Sequence, residues 1–492
     1  MTVVKRTCPA ASSVLEVRSA LLSVAQCLAS PIDVAAFLSA LPATSLDAPL
    51  TALRELLTRP GPFSFEWPTP DLDVVTESDR TLVRIALPAL VSVRAQGVKV
   101  FARLFNRPAA THAIKCLDHF AQRFATKLTQ LHLDATLTYS DAFCVLLSRC
   151  THLESIRLAA SGSNVLTAVT TPNHRVRSIR LEMELVKTTP RWTPLLTKWL
   201  SSGFASRVKV HTPLIADVDD LALAIATTPS LRALFVHHSD AILHALLATR
   251  RALSQIIELR VVTDETDLIP RLLQLVDHSA MKVLEFLGAA DFSYILALLP
   301  QLPSLHELSL HYCTLGAMPL DTSTWPQLRT ASFEGVKFEA NTFDALLAYL
   351  VRATHLTEVV LNGCALVAAK IDLLSRALPQ WMQQGLTYLS LVDNQLDNRS
   401  AALLAIGLRE GRNVAPLTVH LHGNSLDVHG VRMLLDALAT CECVRIQLNL
   451  DESVLAPCAK ELHALAAARR MRVDLLDDDG IQVLYSPIKV VE

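Results

Sequence analysis

The chain has 492 residues, 51% of them hydrophobic, and its 45 basic and 47 acidic side chains leave a formal charge of −2. That length exceeds what one compact core ordinarily absorbs, so several domains or a repeat array are expected. The charge balance excludes a generic basic nucleic-acid binder, and the aliphatic content excludes a largely disordered chain. Leucine alone fills 87 of the 492 positions while aromatics make up 5%; one apolar shape is being used over and over. The ten cysteines contain no C-x-x-C pair and their scatter is unlike a disulfide framework, which predicts a reduced, intracellular setting, cytoplasmic or nuclear. Lys5 and Arg6 precede an apolar patch, but Glu16 and Arg18 leave too little uninterrupted core for a secretory signal. No run approaches the roughly 18 uncharged apolar residues of a membrane span, so no membrane is expected as a partner.

In chain order, Val14, Val17, Leu21, Ala25 and Leu28 recur at helical spacing on one face. Ser30-Pro31-Ile32-Asp33 then reads as a cap, a proline at the first helical position and an acidic third residue, opening a second helix through Leu41. Asp47-Ala48-Pro49 opens a third, LTALRELL, which Pro60-Gly61-Pro62 ends. Three short amphipathic helices followed by Trp67-Pro68 resemble the F-box, a docking module for the Skp adaptor of cullin-based ubiquitin ligases. The resemblance implies adaptor contacts at Pro31, Val34, Leu38 and Leu50, with a Skp-type adaptor and a cullin as partners. The family usually opens with Leu-Pro ahead of its first helix, whereas Pro31 here follows Ser30 and an additional helix. A helical cap that shields the first repeat from solvent is the other reading of the same residues 1–68. Residues 69–125, with the strand-like IALPALVSV and VKVFARLF, read as a connecting region of one or two degenerate repeats.

Self-similarity begins near residue 126. LHELSLHYCTL (Leu305 to Leu315), LTEVVLNGCAL (Leu356 to Leu366), LTYLSLVDNQL (Leu386 to Leu396) and PLTVHLHGNSL (Pro416 to Leu426) follow the L-x-x-L-x-L-x-x-N/C-x-L spacing of a leucine-rich repeat. With the second leucine as marker, Leu131, Ile156, Ile179, Val208, Leu234, Leu259, Leu284, Leu308, Ala331, Val359, Leu389, Val419, Leu448 and Val473 mark fourteen units at steps of 23 to 30 residues. Residues 126–480 resemble the ribonuclease-inhibitor-like class of leucine-rich repeat proteins. The shorter early repeats are closer to the cysteine-containing type seen in F-box proteins. In the template, the fourth and sixth residues of a strand point inward and their neighbours outward. Cys313, Cys364, Asn394 and Asn424 occupy the ninth position, where a short polar side chain can satisfy backbone groups in the turn. NTFDALLAYLVRAT, DNRSAALLAIGLREG and DVHGVRMLLDALATC each pair a capping residue with helical periodicity, and Gly411 follows its helix as a stop. The predicted fold is therefore α/β: a leucine-rich repeat solenoid with a curved parallel sheet inside and helices outside, a small all-helical N-terminal domain, and residues 481–492 as a tail.

Glycine-rich nucleotide loops, G-x-S-x-G and H-E-x-x-H are all missing from a chain with only 14 glycines, so no catalytic residue, cofactor or metal ligand set is assigned. His420 and His422 form an H-x-H on a strand, read as surface groups rather than metal ligands. The informative row lies between the two inward leucines of each repeat. It opens His132, Arg157, Arg180, Lys209, Phe235, Arg260, four fixed cations in six positions, and the following eight contain none. These six are the expected partner-binding residues of the concave face, with Phe235 as an apolar anchor and an acidic or phosphorylated protein segment as the partner. Glu154 and Glu182 stand close enough in sequence to neutralise the arginines internally. The expected function is a non-enzymatic binding scaffold, an F-box-like substrate receptor for a ubiquitin ligase. A Ran-type GTPase activator, and an inhibitor or scaffold without a ligase link, are the alternatives.

Overall fold

The computed structural model describes residues 18–59, 67–105, 113–133, 140–159, 163–182, 192–211, 217–316, 327–339, 341–449, 452–474 and 482–486. The expected helical positions Val14 and Val17, and the Pro60-Gly61-Pro62 stop, lie outside them. The chain divides into two compact units, Met1–Leu231 and Arg232–Glu492.

The first unit opens with three helices, α1 (Arg18–Cys27), α2 (Pro31–Ala40) and α3 (Ala48–Thr58). Their boundaries are chemical. The Ser30 hydroxyl accepts from the Asp33 N–H at 3.4 Å with Pro31 at the helix start, and Asp47 Oδ1 accepts from the Leu50 N–H at 3.0 Å. Leu21, Ala25, Val34, Leu38, Leu50, Leu53 and Leu56 are buried and form the interior of this helical head. Trp67 Nε1 donates to the Leu28 carbonyl at 2.8 Å, and Gln26 Nε2 to the Ala89 carbonyl at 3.2 Å, so the head is hydrogen-bonded to the connecting region.

Five strands come next in the first unit: β1 (Val93–Ala95), β2 (Leu128–Leu133), β3 (Ser155–Ala159), β4 (Ser178–Glu182) and β5 (Arg207–His211), paired in sequence order and all parallel. The connecting region differs from its strand-like reading. IALPAL forms the helix Arg80–Ala86 and a 3-10 turn over Leu87–Ala89, and VKVFARLF forms the helix Lys99–Leu104; only Val93–Ala95 between them is extended. The apolar runs there are continuous rather than alternating, and a buried helix carries such a run as readily as a buried strand does.

Register shows why the repeats stack. Leu131, Ile156, Ile179 and Val208 face one another across the strands, and so do Leu133, Leu158, Leu181 and Val210; all eight are at most 2% exposed. Each such side chain contributes about 1.5–3 kcal/mol on leaving water, so these two inward ladders, rather than the backbone pairing, are the main cohesive element. Behind them pack Ala113–Phe124, Asp141–Leu147, Ser163–Val169, Thr193–Leu200 and Val218–Thr227, one helix per turn of chain.

The second unit repeats the plan. Its strands are β6 (Ala233–His237), β7 (Glu258–Val262), β8 (Val283–Leu287), β9 (Glu307–His311), β10 (Thr314–Leu315), β11 (Thr330–Glu334), β12 (Lys337–Phe338), β13 (Glu358–Asn362), β14 (Tyr388–Ser390), β15 (Leu417–His420), β16 (Val444–Leu448), β17 (Arg472–Asp474) and β18 (Gln482–Tyr485). The main order is β6-β7-β8-β9-β11-β13-β14-β15-β16-β18-β17, with β10 and β12 pairing separately. The markers from Leu234 to Val419 share one register. The chain is thus an α/β leucine-rich repeat protein with an all-helical N-terminal head.

Two markers are corrected. Val419 pairs with Ile446, not Leu448, so the outward residue of that repeat is Gln447 instead of Asn449. Val444, Ile446 and Leu448 alternate over three inward positions, and the repeat template fits them in either of two registers. Val473 does not mark a further parallel repeat: β18 runs antiparallel between β16 and β17, drawing Gln482–Tyr485 of the expected tail into the sheet.

Of the three outer helices whose caps the sequence marks, two keep them. Asp397 accepts from the Ser400 N–H at 2.9 Å and Asp427 from the His429 N–H at 2.7 Å, but Asn341 sits at φ 65° and makes no side-chain cap. Gly411 ends its helix in extended backbone rather than in a left-handed turn and packs against the end of the Met382 side chain.

Candidate functional site

Strand alternation in both units leaves one face of the sheet turned away from the helices, and its side chains are the candidate site. On the first unit, His132, Arg157, Arg180 and Lys209 stand on one register line across β2 to β5, each half-buried. Glu182 organises them. Its two carboxylate oxygens accept from Arg157 Nη2 and Arg180 Nε. Burial raises the Glu182 pKa, but the hydrogen bonds and charges of Arg180 and Arg157 outweigh it and hold the carboxyl below the ordinary range. Burial, then the charges of Arg157 and Arg180, lower the His132 pKa. Glu154 is exposed at the entry to β3 and makes no ion pair with these arginines among the described residues.

Among the described residues, β3 to β5 present Arg157, Arg180, Arg207 and Lys209 outward against Glu182 alone. Toward β1 the balance changes, for Asp71 and Asp73 lie close to each other beside that strand, where Asp71 forms a parallel backbone bridge with Arg94.

The open face of the second unit has the opposite character. Phe235 and Arg260, placed by the sequence at the end of the basic row, are neighbours on β6 and β7, with the guanidinium 5.2 Å from the ring centroid. Arg260 Nη1 donates to Glu285, and its Nη2 lies 3.1 Å from Glu307. This arginine is therefore engaged by acids, and the basic row ends within the first unit. Glu258, Glu307 and Glu358 occupy the outward position before the inward residue, and Glu334 the one after it, where it meets His311 Nδ1 at 3.2 Å. Burial raises the Glu307 pKa; Arg260 opposes that, and Glu285, Glu258 and Glu358 add to it. Reading one outward row hid these acids; the same two-residue period exposes three outward positions per strand, and the flanking two carry them. Further along, Tyr388 and His420 pack with ring centroids 4.8 Å apart, and His420 and His422 at 5.4 Å. Burial, then His422 and Arg445, lower the His420 pKa. Among the described residues no group of three or more His, Cys, Asp or Glu is placed to hold a metal ion.

Of the ninth-position residues, Cys313, Cys364 and Asn394 lie beneath the surface and Asn424 is half-buried. Asn394 Oδ1 accepts from the Cys364 N–H at 2.9 Å, and its Nδ2 donates to the Leu361 carbonyl at 2.6 Å in the preceding repeat. Asn424 Oδ1 accepts in turn from the N–H groups of Asn394 and Leu396, both at 3.0 Å. Burial pushes the Cys313 and Cys364 thiols up to about 12, where they are uncharged and unreactive. In the head, Val34, Leu38 and Leu50 are at most 2% exposed and pack the interior instead of facing outward; Pro31 is half-buried, and α2 exposes one large apolar side chain, Ile32, at 77%.

No family model and no curated protein matches the chain. Among solved structures, it is similar to a leucine-rich repeat protein of Leptospira interrogans at 13% identity, over 68% of this chain and 80% of that one, with a TM-score of 0.29. The fold assignment rests on the strand register above. Among the described residues no helix is long and apolar enough to cross a membrane.

Proposed function

We propose that this protein is a non-enzymatic binding scaffold that receives a protein partner on its open sheet faces, and that its helical head docks a Skp-type adaptor, making it an F-box-like substrate receptor. The observation that carries the binding reading is the regular line of half-exposed charged and polar side chains, fixed at about 4.8 Å intervals by strands whose register is set by a dry ladder beneath. Such a surface is ordered before a partner arrives, so little conformational entropy is lost on binding. Support for the docking reading is narrower: the head exposes apolar Ile32 and Val24 on adjacent helices while its interior is closed.

The test is affinity capture from cells with the full chain and with Ile32→Asp, a change on a 77% exposed side chain that leaves the interior intact. Adaptor and cullin are expected with the full chain and are lost with the variant, while other bound proteins are retained by both. Absence of adaptor and cullin from the full-chain capture would reject the ligase assignment.

A further inference from the structure

The first unit's open face has a definite electrostatic preference, and it rests on part of the row read from the sequence, with Arg207 beside it. Phe235 and Arg260 belong to the second unit, where Glu285 and Glu307 engage the arginine. What remains is a patch on β3 to β5: Arg157, Arg180 and Lys209 on one register line, with Arg207 two residues before Lys209. Glu182 is the single acid among them in the described residues, and its geometry matters more than its charge. It accepts one N–H from each arginine, through separate oxygens. A guanidinium has five N–H donors, so each retains four, and neither arginine has another partner among the described residues. With side chains 40% and 41% exposed, the two guanidinium groups are held by a common anchor and still reach solvent.

Resting on the reading that the open faces bind protein, we infer that the β3–β5 face takes an extended, carboxylate-rich segment of a partner protein, seated on Arg157, Arg180 and Lys209. Three features favour carboxylates on a peptide over a nucleic acid. The patch holds four fixed cations within one small area of a chain with net charge −2, so it supplies local rather than long-range attraction. None of β3, β4 and β5 carries a Phe, Tyr or Trp on which successive bases could stack, and the single ring, His211, stands at the end of β5. Glu182 lies among the cations, which penalises a continuous phosphate backbone but not separate carboxylates. In an extended segment, every second side chain points the same way, about 6.6–6.8 Å apart. Two such acids fit the span of roughly 10 Å from Arg157 to Lys209, and the forked donors of arginine suit carboxylate oxygens.

The experiment is fluorescence anisotropy of the full chain with three labelled peptides of equal length, alternating Glu-Ser, alternating Lys-Ser and alternating Thr-Ser. The Glu-Ser peptide is expected to bind, the Thr-Ser and Lys-Ser peptides at least tenfold more weakly at this face, and binding should weaken between 50 and 300 mM salt. Arg157→Gln/Arg180→Gln, which preserves size and polarity, should weaken Glu-Ser binding at least tenfold. The charge-matched control Lys337→Gln/Arg409→Gln, at exposed positions of the second unit, should leave it unchanged. Glu182→Gln, which removes the opposing charge, should tighten it about threefold. Equal binding of the Glu-Ser peptide by the Arg157/Arg180 variant and the parent overturns the inference, as does binding of the Lys-Ser peptide in its place. The second result leaves the scaffold reading standing, because the acid-rich face of the other unit then accounts for it. Failure of all three peptides overturns the inference while cellular capture of partners remains its own test of the scaffold.

Discussion

Single side chains in this molecule act on the repeats beside them. Glu182 is ionised below the ordinary carboxylate pKa of 4.5 because two arginines from adjacent strands hold it. A depressed folded pKa gives stability that is fully present above 4.5 and is lost as the pH falls through the lower folded value. Thermal melts of the parent and Glu182→Gln should therefore differ most near pH 7 and converge as the pH falls from 4.5 through the lower folded value, with the parent the more stable at neutral pH. Asn394 serves two repeats at once and is 2% exposed, so Asn394→Ala strands the buried Cys364 N–H and Leu361 carbonyl. A loss of about 2–4 kcal/mol in denaturant unfolding is expected. Gly407 has a helical backbone, yet an added Cβ would stand 2.5 Å from the Ser375 carbonyl of the neighbouring helix. Gly407→Ala should cost about 1–3 kcal/mol despite the better helix propensity of alanine. The template makes Asn394 legible in the sequence; Gly407 is not, because its constraint comes from a helix a whole repeat away.

At the scale of elements, periodicity and capping were informative wherever they agreed. Ser30, Asp47, Asp397 and Asp427 mark helix starts in the sequence and cap them in the structure. Strand β16 shows the limit. Three alternating apolar residues permit two registers, and only the neighbour's pairing chooses Ile446. The head shows another. Helical spacing identifies Val34 and Leu38 on α2 and Leu50 on α3 as apolar positions, but spacing alone does not say whether they meet a partner or the head's own interior. They are interior. Leu38→Asp should accordingly unfold the head, seen as rapid proteolysis within residues 18–59, whereas Ile32→Asp should leave the digestion pattern unchanged.

On the scale of the whole molecule, the leucine excess is spent on many small stacked cores, each completed by the next repeat. Damage should then stay local. Leu389→Ala, which removes about 2–5 kcal/mol from one inward rung, is expected to speed hydrogen exchange in β13 to β15 while leaving β6 to β8 protected. Uniform acceleration across the second unit would contradict this. Charge is partitioned between the units as the apolar ladders are not: cations on β3 to β5, acids on β7 to β13. A near-zero total conceals that division, which is why the net charge of −2 was silent about binding.

The reversed strand β18 sets a direction for change in the gene. A duplicated repeat can splice into the second unit anywhere between two parallel strands, since its edges match those on either side. Placed after β16 it would face a strand of the wrong polarity. Growth or shrinkage of this array by unequal exchange is thus expected within the parallel stretch, and a designer lengthening the protein should insert whole units there and leave β16, β18 and β17 together at that end of the sheet.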